Sequence, residues 1–92
     1  GRVAHAELRI GPSSIFVGEE HPHLEEIHAP PRIGGSPVYL DLETDDVAGL
    51  FERAVAAGAT AIRKPTDPQL PVQSAKVRDP FGHIWLLTRT VR

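Results

Sequence analysis

The chain has no cysteine, which excludes a disulfide framework, a thiol nucleophile and a thiolate metal site. It has no apolar run near the ~20 residues that a membrane span needs, and no signal-peptide core. An excess of one charge is also missing. Ten Lys and Arg stand against twelve Asp and Glu, and the formal net charge of −2 argues against a surface for nucleic acid or anionic membrane. No Gly-rich phosphate loop, Gly-x-Ser-x-Gly elbow or His-Glu-x-x-His motif is present. Gly34-Gly35-Ser36 does not stand in for a phosphate cradle, because a strand and not a helix follows it. Methionine is absent, the initiator included, so the sequence reads as a portion of a longer protein. A cytoplasmic location is the expectation these absences permit. There is a single Trp, so indole fluorescence reports on one place.

What is present suits one domain of ordinary composition, with 40 % hydrophobic and 24 % charged residues over 92 positions. A chain this short buries only about 60 to 65 % of its unfolded surface, so its stability is modest. Residues 3 to 10 alternate, with Ala4, Ala6, Leu8 and Ile10 on one face and Val3, His5, Glu7 and Arg9 on the other. Gly11-Pro12-Ser13 reads as a turn, and Ser14 to Val17 as the second strand of a hairpin. The pattern then stops between Gly18 and Gly35, where Pro and Gly alternate with Glu and His, so 19–35 reads as a mobile surface loop or linker. Pro37 to Glu43 reads as a strand with Val38, Leu40 and Leu42 on one side and Tyr39, Asp41 and Glu43 on the other. Thr44, Asp45 and Asp46 offer acceptors for the first free N–H groups of a helix. Val47, Leu50, Phe51, Ala54 and Val55 recur at the spacing of one buried helical face, and Gly58 fits the position just past the helix end. A short strand (Thr60 to Arg63), a Pro-rich loop and a final hairpin complete the chain.

That hairpin is written Val77-Arg78-Asp79-Pro80-Phe81-Gly82-His83-Ile84-Trp85-Leu86-Leu87. Pro sits where φ is restricted and Gly where a positive φ is wanted. Asp-Pro-aromatic-Gly before an alternating strand, about twenty residues after a helix ending Ala-Ala-Gly-Ala, resembles the closing hairpin of a vicinal oxygen chelate module. That fold is shared by the glyoxalase, bleomycin-resistance and extradiol-dioxygenase superfamily. The resemblance covers 36–90 and, less fully, 2–18. It implies an α+β fold. Residues 36–92 would form a complete βαβββ module, preceded by an incomplete first module of which 1–18 is the C-terminal hairpin. A homodimer, possibly strand-swapped, would fill the open edge that such a half-module leaves.

In metal-dependent relatives each module offers one ligand from its first strand and one from its last. Aligned on the helix start and on Asp-Pro-Phe-Gly, those positions fall on Tyr39 and Trp85, and near Phe16 in the first module. Trp has no lone pair for a divalent ion and neutral Tyr is a poor ligand. The resemblance therefore implies a cleft without a metal or other cofactor, in which Tyr39 and Trp85 face the concave side of the sheet as aromatic walls. Asp41 and Glu43 would meet a cationic or hydroxylated group there. The competing reading is that Trp85 fills core between two layers. His5 and Glu7, about 7 Å apart on one strand face, fit a His–carboxylate pair in the same cleft, or a plain exposed face on which Arg9 meets Glu7. His21, His23 and His28, interleaved with glutamates in the Pro-broken loop, could trap zinc or nickel but are commonly solvated in such a run, and His83 is placed to hydrogen-bond the turn. The function these features suggest is binding of a small organic ligand, a drug or metabolite, as in bleomycin-resistance proteins. A metal-dependent lyase or dioxygenase using His5, Glu7 and a partner's residues is the alternative, and a non-catalytic association domain is the third.

Overall fold

The computed structural model describes residues 6–18, 28–67 and 69–90. The chain folds as an α+β protein with two separate sheets. β1 (Ala6–Ile10) and β2 (Ser13–Val17) form an antiparallel hairpin across Gly11, whose φ of 58° is one that glycine reaches without a Cβ clash. β3 (Tyr39–Glu43), β4 (Thr60–Arg63), β5 (Val72–Arg78) and β6 (Ile84–Thr90) form a mixed sheet in the order β3-β6-β5-β4. β3 runs parallel to β6, with Tyr39 opposite Ile84, Asp41 opposite Leu86 and Leu42 opposite Leu87. The remaining pairs are antiparallel, and β4 carries a register shift between Ala61 and Arg63.

Two helices accompany the sheets. α1 (Pro30–Ile33) is a single turn that opens on two prolines and ends at Gly34 in the left-handed region. The sequence pattern there reads as a loop, because Pro-Pro looks like a breaker; at the first positions of a helix, however, its fixed φ is an advantage and its missing N–H costs nothing. α2 (Val47–Ala56) starts where the acidic run predicts. Asp46 caps it by accepting from the Gly49 amide at 3.0 Å, and the Asp46 amide in turn donates to Thr44 Oγ1 at 3.2 Å. It ends in a Schellman pair, with the Gly58 amide on Val55 O at 3.1 Å and the Ala59 amide on Ala54 O at 3.0 Å.

α2 lies on β5 and β6 and buries one face of the larger sheet. Val47, Ala75 and Leu87 form the fully buried centre, with Leu42, Leu50, Phe51 and Trp85 packed around it. Val55, expected on the buried helical face, is 39 % exposed, since it lies at the far end of the helix beyond the reach of that cluster. Among the described residues no helix lies over the opposite face of the sheet. Hairpin β1–β2 packs chiefly on itself, and Phe16 on it is 64 % exposed. Among the described residues no helix is long and apolar enough to cross a membrane.

Candidate functional site

The closing turn of the larger sheet is built around one carboxylate. Asp79 Oδ1 accepts from the amides of Phe81 at 2.9 Å and His83 at 3.0 Å, and Oδ2 accepts from Trp85 Nε1 at 3.0 Å. The His83 ring adds an ion-pair contact, Nδ1 to Oδ2, at 3.5 Å. Partial burial works to raise the Asp79 carboxyl pKa, but the indole bond, the two amides and His83 together hold it below the ordinary aspartate value. His83 is thus engaged with a turn side chain as well as with the turn backbone, where its carbonyl accepts from the Asp79 amide at 2.9 Å. The indole of Trp85 is held by both edge and face: its N–H by Asp79, its ring by the core around Leu87.

A cleft of about 590 Å³ runs along the free edge of β3. Leu40, Leu42, Leu50 and Trp85 give it an apolar side, Asp41, Glu43 and Thr44 a polar one, and Ile10 to Ile15 at the tip of hairpin β1–β2 form the facing wall. Its volume is that of an ordinary small-molecule site. Trp85, Asp41 and Glu43, all singled out from sequence, line it. Glu7 does not; it pairs with Phe16, three residues down the hairpin from the tip and about 10 Å away. His5, His21 and His23 lie outside the described residues.

One expectation is overturned. Tyr39 and Trp85 do not share a face. Trp85 packs with Leu42, Ala75 and Leu87 under α2, whereas Tyr39 is 61 % exposed on the uncovered side. The reason is register. On a two-residue period the β6 residue that joins the Tyr39 and Asp41 side is Leu86, which pairs with both Asp41 and Lys76. Alignment on the turn alone misplaces that position by one residue and so flips it through the sheet.

The uncovered face carries its own polar set. Lys76 Nζ donates to the Tyr39 phenol oxygen at 3.4 Å and stands 4.7 Å from the ring centroid. Thr88 Oγ1 donates to Asp41 Oδ1 at 2.9 Å. These groups do not fit a divalent cation: one carboxylate is already bonded to a hydroxyl, an ammonium occupies the phenol, and Leu86 fills the place between them. Among the described residues no group of three His, Cys, Asp or Glu side chains could hold a metal ion. Sequence reasoning missed Lys76 and Thr88, although the Arg78–Ile84 pair that closes the turn fixes Lys76 beside Leu86 by counting.

Residues 4–88 match the glyoxalase-like domain family. An uncharacterised protein of Mycobacterium bovis is 35 % identical over 94 residues, covering 100 % of this chain and 62 % of its own length. An uncharacterised protein of Mycobacterium tuberculosis is also 35 % identical, with 55 % of its length covered. The chain therefore spans somewhat over half of these curated relatives. Among solved structures, TioX from Micromonospora sp. ML1 superposes with a TM-score of 0.69 at 27 % identity, covering 97 % of this chain and 70 % of that one. A hypothetical protein of S. aureus shares the fold at a TM-score of 0.64 and 19 % identity, with 92 % of this chain and 66 % of that one covered. Sequence match and fold agree, and the chain belongs to the glyoxalase-like domain family.

Proposed function

We propose that this protein binds a small organic molecule, a drug or metabolite, in the cleft beside β3, through its own side chains and without a chelated ion. The observation that carries the reading is the cleft itself: ligand-sized, apolar on the side of Leu40, Leu42, Leu50 and Trp85, and polar on the side of Asp41, Glu43 and Thr44. An apolar wall with a few placed polar groups holds a ligand by area burial and orients it by hydrogen bonds. Asp41 and Glu43 favour a hydroxylated or cationic group at that end. The edge of the indole is tied to Asp79, so the ring is a fixed wall and little ordering accompanies binding.

The test uses the single Trp. Native mass spectrometry of the full-length protein shows the subunit count and any co-purified small molecule. Titrating that molecule, or a set of planar aromatic compounds, is expected to quench or shift Trp85 emission, and Leu50→Arg, which fills the apolar side with a charged chain, should abolish the change. Emission that stays constant across the whole set, together with no co-purified molecule, would rule the cleft out as the binding site.

A further inference from the structure

Trp85 belongs to two places at once. It packs against the buried centre of Val47, Ala75 and Leu87, and it lines the cleft beside β3. On β6 it stands opposite Val77 of β5, one pair in from the Arg78–Ile84 pair that ends the ladder. From there the indole Nε1 reaches Asp79 Oδ2 at 3.0 Å, in the turn beyond that pair. Asp79 does not itself line the cleft. The closing turn thus holds a cleft residue from a position that a ligand in the cleft would not touch.

The two carboxylate oxygens serve different partners. Oδ1 accepts from the Phe81 and His83 amides at 2.9 and 3.0 Å and so shapes the turn. Oδ2 accepts the indole N–H, with His83 Nδ1 at 3.5 Å from the same oxygen. Packing along one side of a Trp leaves its second torsion soft, because that well is broad. A hydrogen bond at the single indole N–H narrows it, and an ionised acceptor does so more firmly than a neutral one. Asn at this position would have one carbonyl oxygen, enough for the turn amides or for the indole but not for both.

We propose that Asp79 is a positioning residue for the cleft: by holding the indole N–H it sets the orientation of Trp85 that receives an aromatic ligand. The inference rests on the reading of the cleft as a small-molecule site. A side chain fixed beforehand spares binding the entropy of ordering it, which for one side chain amounts to roughly a two- to tenfold difference in affinity. The coupling is reciprocal. A ligand resting on the indole is felt at the Phe81 and His83 amides, which share its carboxylate.

The experiment compares the ¹⁵N-labelled full chain with Asp79→Asn, Trp85→Phe and the double variant, at a temperature where each keeps the parent's far-UV circular dichroism. The probe is 1-naphthylmethylammonium, whose ring and cation suit the apolar and acidic sides of the cleft. In the free chain the one indole N–H resonance is expected to move upfield and exchange faster with water in Asp79→Asn. The Phe81 and His83 amides should stay dispersed there, since Asn keeps an acceptor for them. The probe should bind Asp79→Asn about two- to tenfold more weakly than the parent, and should bind Trp85→Phe and the double variant equally. A carboxylate that acted only by holding the fold together would lower affinity in both backgrounds alike. Three results would each overturn the inference and leave the cleft reading standing: an indole resonance unmoved by Asp79→Asn, equal affinity of parent and Asp79→Asn, or the same loss in the Trp85→Phe background. A parent chain that does not take the probe beside Leu42, Leu50 and Trp85 would overturn both the ligand class read from the cleft and this inference.

Discussion

Asp79→Asn tests whether a single carboxylate holds the closing hairpin in shape. Asp79 accepts three N–H donors at 2.9 to 3.0 Å, two from backbone and one from the indole. Hydrogen bonds to an ionised group contribute about 1.5–3 kcal/mol, and neutral ones about 0.5–1.5 kcal/mol. Asn with its carbonyl oxygen at the Oδ1 position keeps both amide donors at neutral strength, but its NH₂ then meets the indole N–H donor to donor. The loss is the indole bond, about 1.5–3 kcal/mol, plus the charge component of the other two, about 1–1.5 kcal/mol each, for an unscreened upper bound of roughly 3.5–6 kcal/mol. The Asp79 side chain is 23 % exposed, so solvent screening brings the figure toward about 2 kcal/mol. In a domain this size ~1 kcal/mol moves Tm by about 4–8 °C, so Asp79→Asn should melt about 8–16 °C lower by far-UV circular dichroism. Trp85→Phe removes the same indole bond from its other end, so the double variant should lose less than the two single losses combined, by about 1 kcal/mol. The pH dependence has a definite sign. The Asp79 carboxyl pKa is lowered in the fold, so its contribution is fully present above the unfolded value of about 3.9 and is lost as pH falls through the lower folded value. The gap between parent and Asp79→Asn should therefore be constant from pH 5 to 7 and close below about pH 4. A melting midpoint within 2 °C of the parent at pH 7, or strict additivity with Trp85→Phe, refutes the reasoning.

Two further substitutions probe other parts of the fold. Gly82 has φ 96°, and a Cβ there would lie 2.8 Å from the Pro30 Cβ, so Gly82→Ala should cost about 1–3 kcal/mol and speed amide exchange in α1, which rests on that turn. Amide exchange in α1 identical to the parent's would show that Pro30 does not depend on the contact. Leu87→Ala removes the largest side chain of the buried centre, 2 % exposed, and should cost about 2–5 kcal/mol of a total of about 5–14 kcal/mol for this length. A urea midpoint that barely moves would mean the core lies elsewhere.

Local chemistry wrote most of the elements plainly. The alternation of residues 38–43, the Asp46 cap and the helical spacing from Val47 to Ala54 each answer to contacts within a few residues, and each element appears where those signals put it. Pro80 and Gly82 likewise fix the hairpin turn without help from the rest of the molecule. The face of Trp85 was not legible in the same way. Alternation says that Trp85 and Leu87 share a side, but which side meets α2 depends on how β6 registers against β3, a pairing between segments some forty residues apart. Trp85 is amphipathic enough to suit either face, so composition does not decide it. Lys76 escaped for a related reason: on its own strand it looks like a solvated charge, and only the approach of Tyr39 from two strands away gives it a role. Pro30-Pro31 was misread because the same ring that breaks a helix interior starts one.

The strand order has a consequence for the way the molecule is made. β6 occupies the middle of the larger sheet although it follows β3, β4 and β5 in sequence. Among the described residues β3 has no strand neighbour other than β6, so that pairing waits until everything between Glu43 and Ile84 has been synthesised. Ordering that long intervening stretch carries its entropy cost before any contact offsets it. A stop codon shortly before Ile84 would therefore delete the centre of the sheet and leave β3 stranded from β5, while a pause in translation there would prolong the exposure of two backbone edges at once.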